Sequence, residues 1–242
     1  SIGAVAYYAA PYEVITKLWV FSGALLGVLF PIFSAFGDGA GGRIPALADR
    51  AVVVLTTVTL PLVAIALGFA HELLSLWLGA DFAARSASVA RWLAVGVFVN
   101  VLAQVPLTAI HGLGRADITA KLLAVELAGY VALAWVLAGR FGIDGVAAAW
   151  AIRAVVNALA LFFLLTRLAP RSADDRADSR KILLAAAFLG LFVGIGIAGS
   201  WSLELRLATF GVAFLTLCYW LWTHFLTAAD RAWMRQLAST IR

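Results

Sequence analysis

Seven polar side chains sit where the surrounding sequence is apolar: Lys17, Arg91, Asn100, Gln104, Glu126, Arg153 and Asn157. Charges and amides inside long apolar runs are costly in lipid, so they face neighbouring helices or a watery cavity. As a set they suit binding better than bond-breaking. Lys17, Arg91 and Arg153 offer cations to an anionic ligand, and Asn100, Gln104 and Asn157 offer amides to hydroxyl groups. Arg153 and Asn157 are four residues apart, which puts both on one helix face. Arg153 is read either as snorkelling to the membrane edge or as facing a water-filled path. Glu13 and Lys17 have the same spacing in the favourable order for a helical ion pair. That pair is read as structural at the membrane edge or as lining a cavity. Glu126 is suited to pairing with Arg153, the preferred reading, or to carrying a coupling proton.

Other chemistries find little support. His71, His111 and His224 are far apart, Cys218 is the lone cysteine, and no cluster has metal-ligand spacing. There is no phosphate-binding G-x-x-x-x-G-K-[ST]. The expectation is no cofactor, no metal and no catalytic residue. A membrane enzyme would need catalytic groups gathered in a sizeable outer loop, whereas these loops are short, with Asp81, Asp144 and Glu204 as their acids. The net charge of +5 does not call for nucleic acid, because the basic residues punctuate loops between apolar runs.

The elements that must position these groups follow from composition. The 242 residues are 64% hydrophobic and 13% charged, with a mean hydropathy of +0.98. No soluble domain of that size is so poor in polar surface. The expected class is all-α, a polytopic transmembrane helix bundle of about seven spans, since the apolar runs are about 20 residues long without alternation.

The first span lies within Ile2–Phe36, polar in its first half. A loop follows at Gly37–Asp49. The second span falls within Ala51–Leu78, where Thr56, Thr57 and Thr59 precede Pro61 and are suited to the carbonyl it frees. His71-Glu72 near its end reads as interfacial. Gly79–Ser88 reads as a loop. The third and fourth spans, Val89–Ile110 and Ala120–Leu137, flank a basic Gly-rich turn. Phe141–Gly145 is a short turn into a fifth span, about Val146–Leu168. Residues 169–181 read as a solvated connector. Two further spans, about Ile182–Trp201 and Leu205–Thr227, fall within 182–228 and are almost free of internal polar groups. Trp201, Trp220, Trp222 and Trp233 fit interfacial belts, and 229–242 is a basic tail.

Loop charge orients the chain. Of the 18 Lys and Arg residues, twelve fall on one set of flanks: Arg43, Arg50, Arg115, Lys121, five within Arg167–Lys181, and Arg231, Arg235 and Arg242. Four fall on the other, Arg85, Arg91, Arg140 and Arg206, while Lys17 and Arg153 lie inside spans. The richer side is expected in the cytoplasm, with the C-terminus. Seven spans then place Ser1 outside, yet the start has no charged leader, cleavage pattern or initiating Met. The expectation is that residue 1 is not the biological start.

Polar groups dispersed over several helices, joined by short loops and interrupted by Pro and Gly, suit a transporter cavity open to alternate sides. Three pieces of sequence sharpen that reading. F-x-N-x-L-A-Q-V-P at Phe98–Pro106 and G-x-G-R-x-D-x-x-A-K at Gly112–Lys121 precede Glu126-Leu127 and Tyr130. Ala6-Tyr-Tyr8-x-x-Pro-Tyr12 and Leu29-Phe-Pro31-x-x-Ser34 come before, and Ala147-Ala-Ala-Trp150-x-x-Arg153 comes after. In order and spacing these resemble the polysaccharide transporter branch of the multidrug/oligosaccharidyl-lipid/polysaccharide (MOP) exporter superfamily, which contains the Wzx-type oligosaccharide flippases. The similarity covers roughly Gly3–Leu168.

The resemblance implies a second lobe over residues 1–168, incomplete at its start, plus two additional helices, with an N-terminal lobe of the same chain as partner. It implies flipping of an undecaprenyl-diphosphate-linked oligosaccharide across the bacterial inner membrane for surface polysaccharide such as lipopolysaccharide. Such a ligand has an anionic diphosphate, a polar sugar head and an apolar tail. Lys17, Arg91 and Arg153 would then serve phosphate. Asn100, Gln104 and Asn157 would serve sugar hydroxyls, and Tyr7, Tyr8 and Tyr12 would stack on sugar rings. The alternatives are half of a drug/cation antiporter of the same superfamily or, less favoured, a membrane enzyme of polysaccharide assembly. An antiporter prefers buried carboxylates, and the intramembrane charge here is mainly cationic.

Overall fold

The computed structural model describes residues 2–36, 43–170, 187–195 and 202–225, and among them there are helices and no strands. In chain order the helices are α1 (Ile2–Thr16), α2 (Trp19–Phe36), α3 (Arg43–Gly68), α4 (Ala70–Leu78), α5 (Ala80–Gly112) and α6 (Ala116–Leu168). Residues 187–195 form α7, and α8 (Leu203–Trp220) runs into a π-helical turn at Leu221–Phe225. Five described stretches are long and apolar enough to cross a membrane: Val5–Ala35, Arg43–Gly68, Ala80–Gly112, Ala116–Leu168 and Glu204–Thr223. The chain is a multi-pass helical bundle.

α6 makes two crossings. A straight helix of its 53 residues would be about 80 Å long, more than twice a hydrocarbon core. It folds back at Gly142, whose φ of 60° lies in the left-handed region open to glycine. Gly145 then lies so close to the Leu137 backbone that a Cβ would collide with it. The fold-back falls inside the turn expected at Phe141–Gly145 and sets the fourth and fifth spans side by side.

α5 is the central helix, in contact with α1, α2, α3, α4 and α6. Its Leu93, Val97, Val101, Val105 and Ile110 are fully buried or nearly so. Gly96 leaves room for the Trp150 indole, which would lie 2.5 Å from a Cβ at that position. Without a hydrophobic drive between helices in lipid, such close approach over small residues supplies the packing contact. The second arm of α6 meets α5 with a row of alanines, Ala147, Ala151, Ala154 and Ala158, all buried.

Several boundaries differ from the sequence expectation. Gly79–Ser88 is not a loop: only Gly79 (φ 91°) interrupts the chain, and α5 starts at Ala80. No Gly or Pro follows Gly79 until Gly96, and Asp81 sits favourably in the first turn, so nothing stops the helix from starting early. α3 likewise begins at Arg43, inside the loop expected over Gly37–Asp49. The second span ends at Gly68, and Ala70–Leu78 is a separate nine-residue helix, too short to cross. The first span breaks at Lys17 and Leu18, so the Glu13–Lys17 pair is not made among the described residues. Thr57 and Thr59 donate to the carbonyls of Val53 (2.8 Å) and Leu55 (2.6 Å), not to the Thr57 carbonyl that Pro61 frees. Arg206 is not a loop charge: it lies in the first turn of α8.

Residues 171–181 of the connector, most of the 182–201 span, the 229–242 tail, and Trp201 and Trp233 lie outside the described residues.

Candidate functional site

Three stretches bring the site together. α1 contributes Tyr8 and Tyr12, one turn apart and stacked with centroids 6.0 Å apart. The first arm of α6 contributes Leu123, Leu127 and Tyr130, and the second arm Trp150 and Arg153. These seven residues line a cavity of about 380 Å³. Tyr12 meets the Trp150 ring edge-on at 6.3 Å, so the aromatic wall is continuous from α1 to α6. Trp150 is in turn fixed by its fit over Gly96 of α5.

Beside this cavity lies the charged group. Glu126 is almost fully buried, its side chain 5% exposed, while that of Arg153 is 23% exposed. Arg153 Nη1 is 3.7 Å from Glu126 Oε2, an ion-pair contact too long for a hydrogen bond. The Asn157 amide donates to the same Oε2 at 2.7 Å. Glu126 Oε1 is buried and has no hydrogen-bond partner among the described residues. Arg153 also lies over the Tyr130 ring, 5.5 Å from its centroid. No hydrogen bond to protein uses its guanidinium N–H groups among the described residues. A cation held by one loose contact and one ring, at the edge of an aromatic cavity, is available to a further anion. The neighbouring Leu123 and Leu127 are exposed, so apolar side chains and a cation line the same cavity.

The other sequence candidates fall elsewhere. Arg91 donates from Nε to the Leu67 carbonyl at 3.3 Å, at the end of α3. There Arg206 pairs with Glu72 at 2.5 Å and donates to the Gly68 carbonyl at 3.0 Å. Carbonyls at a helix C-terminus have no intrahelical partner, and cations are favoured there. Arg91 therefore serves the α3–α4 break and lies outside the cavity lining. Lys17 is exposed in the turn between α1 and α2. Tyr7 faces away from Tyr8 and Tyr12: it packs on Phe82 at 4.9 Å and under Arg85 at 5.4 Å. Asn100 and Gln104 are half-buried on α5, with no side-chain hydrogen bond among the described residues. The described residues hold no group of His, Cys, Asp and Glu fit for a metal.

Tyr130 and Trp150 were quoted in the sequence patterns, but not as cavity residues. Trp150 three residues before Arg153 was the available signal, since that spacing stacks side chains on one face. The Gly112–Lys121 pattern proves to be the cap of the α5–α6 hairpin. Gly112 sits against Phe33 of α2, Gly114 takes φ 73°, and Asp117 pairs with Arg115 (3.4 Å) and Lys121 (3.7 Å). His111 and Thr119 bond across the turn at 2.8 Å.

No protein-family model matches the chain, and no solved structure matches it. Over 164 residues, 68% of this chain, it is 33% identical to a Shigella flexneri protein named "Putative O-antigen transporter", of which it covers 39%. A 33% identity over so long a stretch of multi-pass helix supports a relationship to polysaccharide transporters, and the chain spans about two fifths of that relative's length (39%).

Proposed function

We propose that these residues are part of a transporter that flips a lipid-linked oligosaccharide across a bacterial inner membrane, with the phosphate groups of the lipid carrier held at Arg153. One observation carries the reading: a guanidinium with no hydrogen bond to protein among the described residues, facing an aromatic-walled cavity between membrane-spanning helices. Tyr8, Tyr12 and Trp150 offer ring faces of the kind that sugars pack against, and the exposed Leu123 and Leu127 suit an apolar tail. The likeness to an O-antigen transporter supports the substrate class. On this reading residues 1–168 work with helices beyond those seen here, the 169–181 connector and the C-terminus face the cytoplasm, and no catalytic step is involved.

A drug/cation antiporter is the second reading, favoured by the unpartnered Oε1 of Glu126. Against it, the other oxygen of that carboxylate already meets the Asn157 amide and Arg153. The experiment is Arg153→Gln in the intact transporter, with export of surface polysaccharide as readout. Loss of export at normal membrane abundance is expected. Undiminished export would overturn the role of Arg153.

A further inference from the structure

Asn157 was expected to meet sugar hydroxyls, but its amide is directed at Glu126, not into the cavity. That contact bears on how the site stays open. Arg153 and Glu126 approach each other from the two arms of α6, both inside the membrane region. With nothing else acting, an arginine and a carboxylate at such a distance would close into a forked pair with two N–H···O bonds, the strongest arrangement open to them. They have not closed: the Nη1–Oε2 separation is 3.7 Å, and Arg153 makes no hydrogen bond to the carboxylate.

The oxygen nearest Arg153 is the one that Asn157 holds, at 2.7 Å. Oε1, which a forked pair would also need, is buried with no hydrogen-bond partner among the described residues. The carboxylate is thus turned so that one oxygen answers an amide one helical turn beyond Arg153 and the other makes no hydrogen bond to Arg153. Tyr130, on the same arm as Glu126, takes the guanidinium from the other side through its ring face, 5.5 Å away. Arg153 is therefore compensated enough to stay charged and loosely enough to serve a ligand.

We infer that Asn157 is a positioning residue: it holds Glu126 back from Arg153 and so keeps the arginine open to an anionic ligand. This rests on the reading of Arg153 as the phosphate-binding cation. Glu126 is then an internal competitor for the same guanidinium. Removing Asn157 frees Oε2 to close on Arg153 and shuts the site without touching the ligand. Removing the carboxylate abolishes the competition, after which Asn157 no longer matters. A residue that merely bonded the ligand or supported the helix would not show that dependence, because its loss would persist whether or not Glu126 kept its charge.

The test is calorimetric titration of pyrophosphate into the intact protein in nanodiscs. Arg153→Gln should remove binding. Asn157→Ala should weaken it about tenfold or more, the order expected for one charge-assisted bond set gained by the competitor. Glu126→Gln should tighten it several-fold. The double variant Asn157→Ala/Glu126→Gln should bind as Glu126→Gln does, and that recovery also shows the fold intact without Asn157. Binding that needs Arg153 but is unchanged in Asn157→Ala, or a double variant as weak as Asn157→Ala, overturns the positioning role alone. Absence of binding to the wild type, or binding indifferent to Arg153→Gln, overturns the anion site and the inference with it.

Discussion

Two partly buried ion pairs join separate segments among the described helices, and they use their donors in opposite ways. At the α3–α4 break, Arg206 from α8 directs its N–H groups at Glu72 (2.5 Å) and the Gly68 carbonyl (3.0 Å), while Arg91 takes the Leu67 carbonyl. Packed around it, Phe210 of α8 meets Phe69 at 4.6 Å and Phe192 of α7 at 5.1 Å. In the α6 hairpin, Arg153 and Glu126 stay 3.7 Å apart and the arginine faces a cavity. The first pair ties backbone ends together. The second leaves a cation with unused donors. Charge in a membrane is thus not in itself a sign of a binding site; what matters is where the hydrogen bonds go.

Arg206→Leu should have the largest effect on stability. It removes the guanidinium that meets both Glu72 and the Gly68 carbonyl, and breaking such a pair costs about 3 kcal/mol or more. For a chain of this size that is on the order of 10 °C in melting temperature, measurable on the detergent-solubilised protein. A shift of a degree or two would mean that the α3–α4 break is held by its phenylalanines alone, and the contrast between the pairs would collapse. Pyrophosphate binding should survive this substitution below the new melting point.

Gly96→Leu comes next. Trp150 already fills the space over Gly96, so added side-chain atoms must push the indole out. Overpacking of this kind costs about 1–3 kcal/mol. Because Trp150 is also the wall against which Tyr12 packs, anion or sugar binding should fall with stability. If melting drops while binding holds, the aromatic wall is packing and not part of the site.

The contrast also separates what could be read from sequence from what could not. Spans were legible because apolar runs of membrane length leave few alternatives. The Arg153–Asn157 face follows from four-residue spacing. Glu126 meets that face because the fold-back at Gly142 brings residues before and after it level with one another. All of this is local, or local plus one turn. Arg206 and Glu72 are 134 residues apart and belong to helices that do not follow one another, so no periodicity links them. The break at Phe69 has no Pro beside it, and Gly68 alone is an ambiguous signal. Tyr7, Tyr8 and Tyr12 looked like one group by type. Helical spacing divides them, since 8 and 12 share a face and 7 does not.

Arg153→Gln should lower the melting temperature by less than Arg206→Leu does, because the glutamine amide can still meet the buried Glu126 carboxylate. Its pair is loose, and Asn157 still bonds the carboxylate. Binding of pyrophosphate, by contrast, should be lost. A stability loss as large as that of Arg206→Leu would make both pairs structural.

Lys17→Ala should do least of all, and it is informative for that reason. Sequence put Lys17 beside Arg153 as a cation for phosphate, on the assumption of one unbroken first helix. α1 instead ends at Thr16, where the Thr16 hydroxyl back-bonds to the Tyr12 carbonyl at 2.7 Å. Lys17 turns outward in the two-residue link, exposed and absent from the cavity lining. A flexible ammonium of that kind reaches for the nearest polar zone, not for a buried ligand. Titration of Lys17→Ala with pyrophosphate should give the wild-type affinity within about twofold, a difference below 0.5 kcal/mol. A loss comparable to that of Arg153→Gln would mean that the α1–α2 break closes over the cavity when an anion is bound, and the site would then need a second cation.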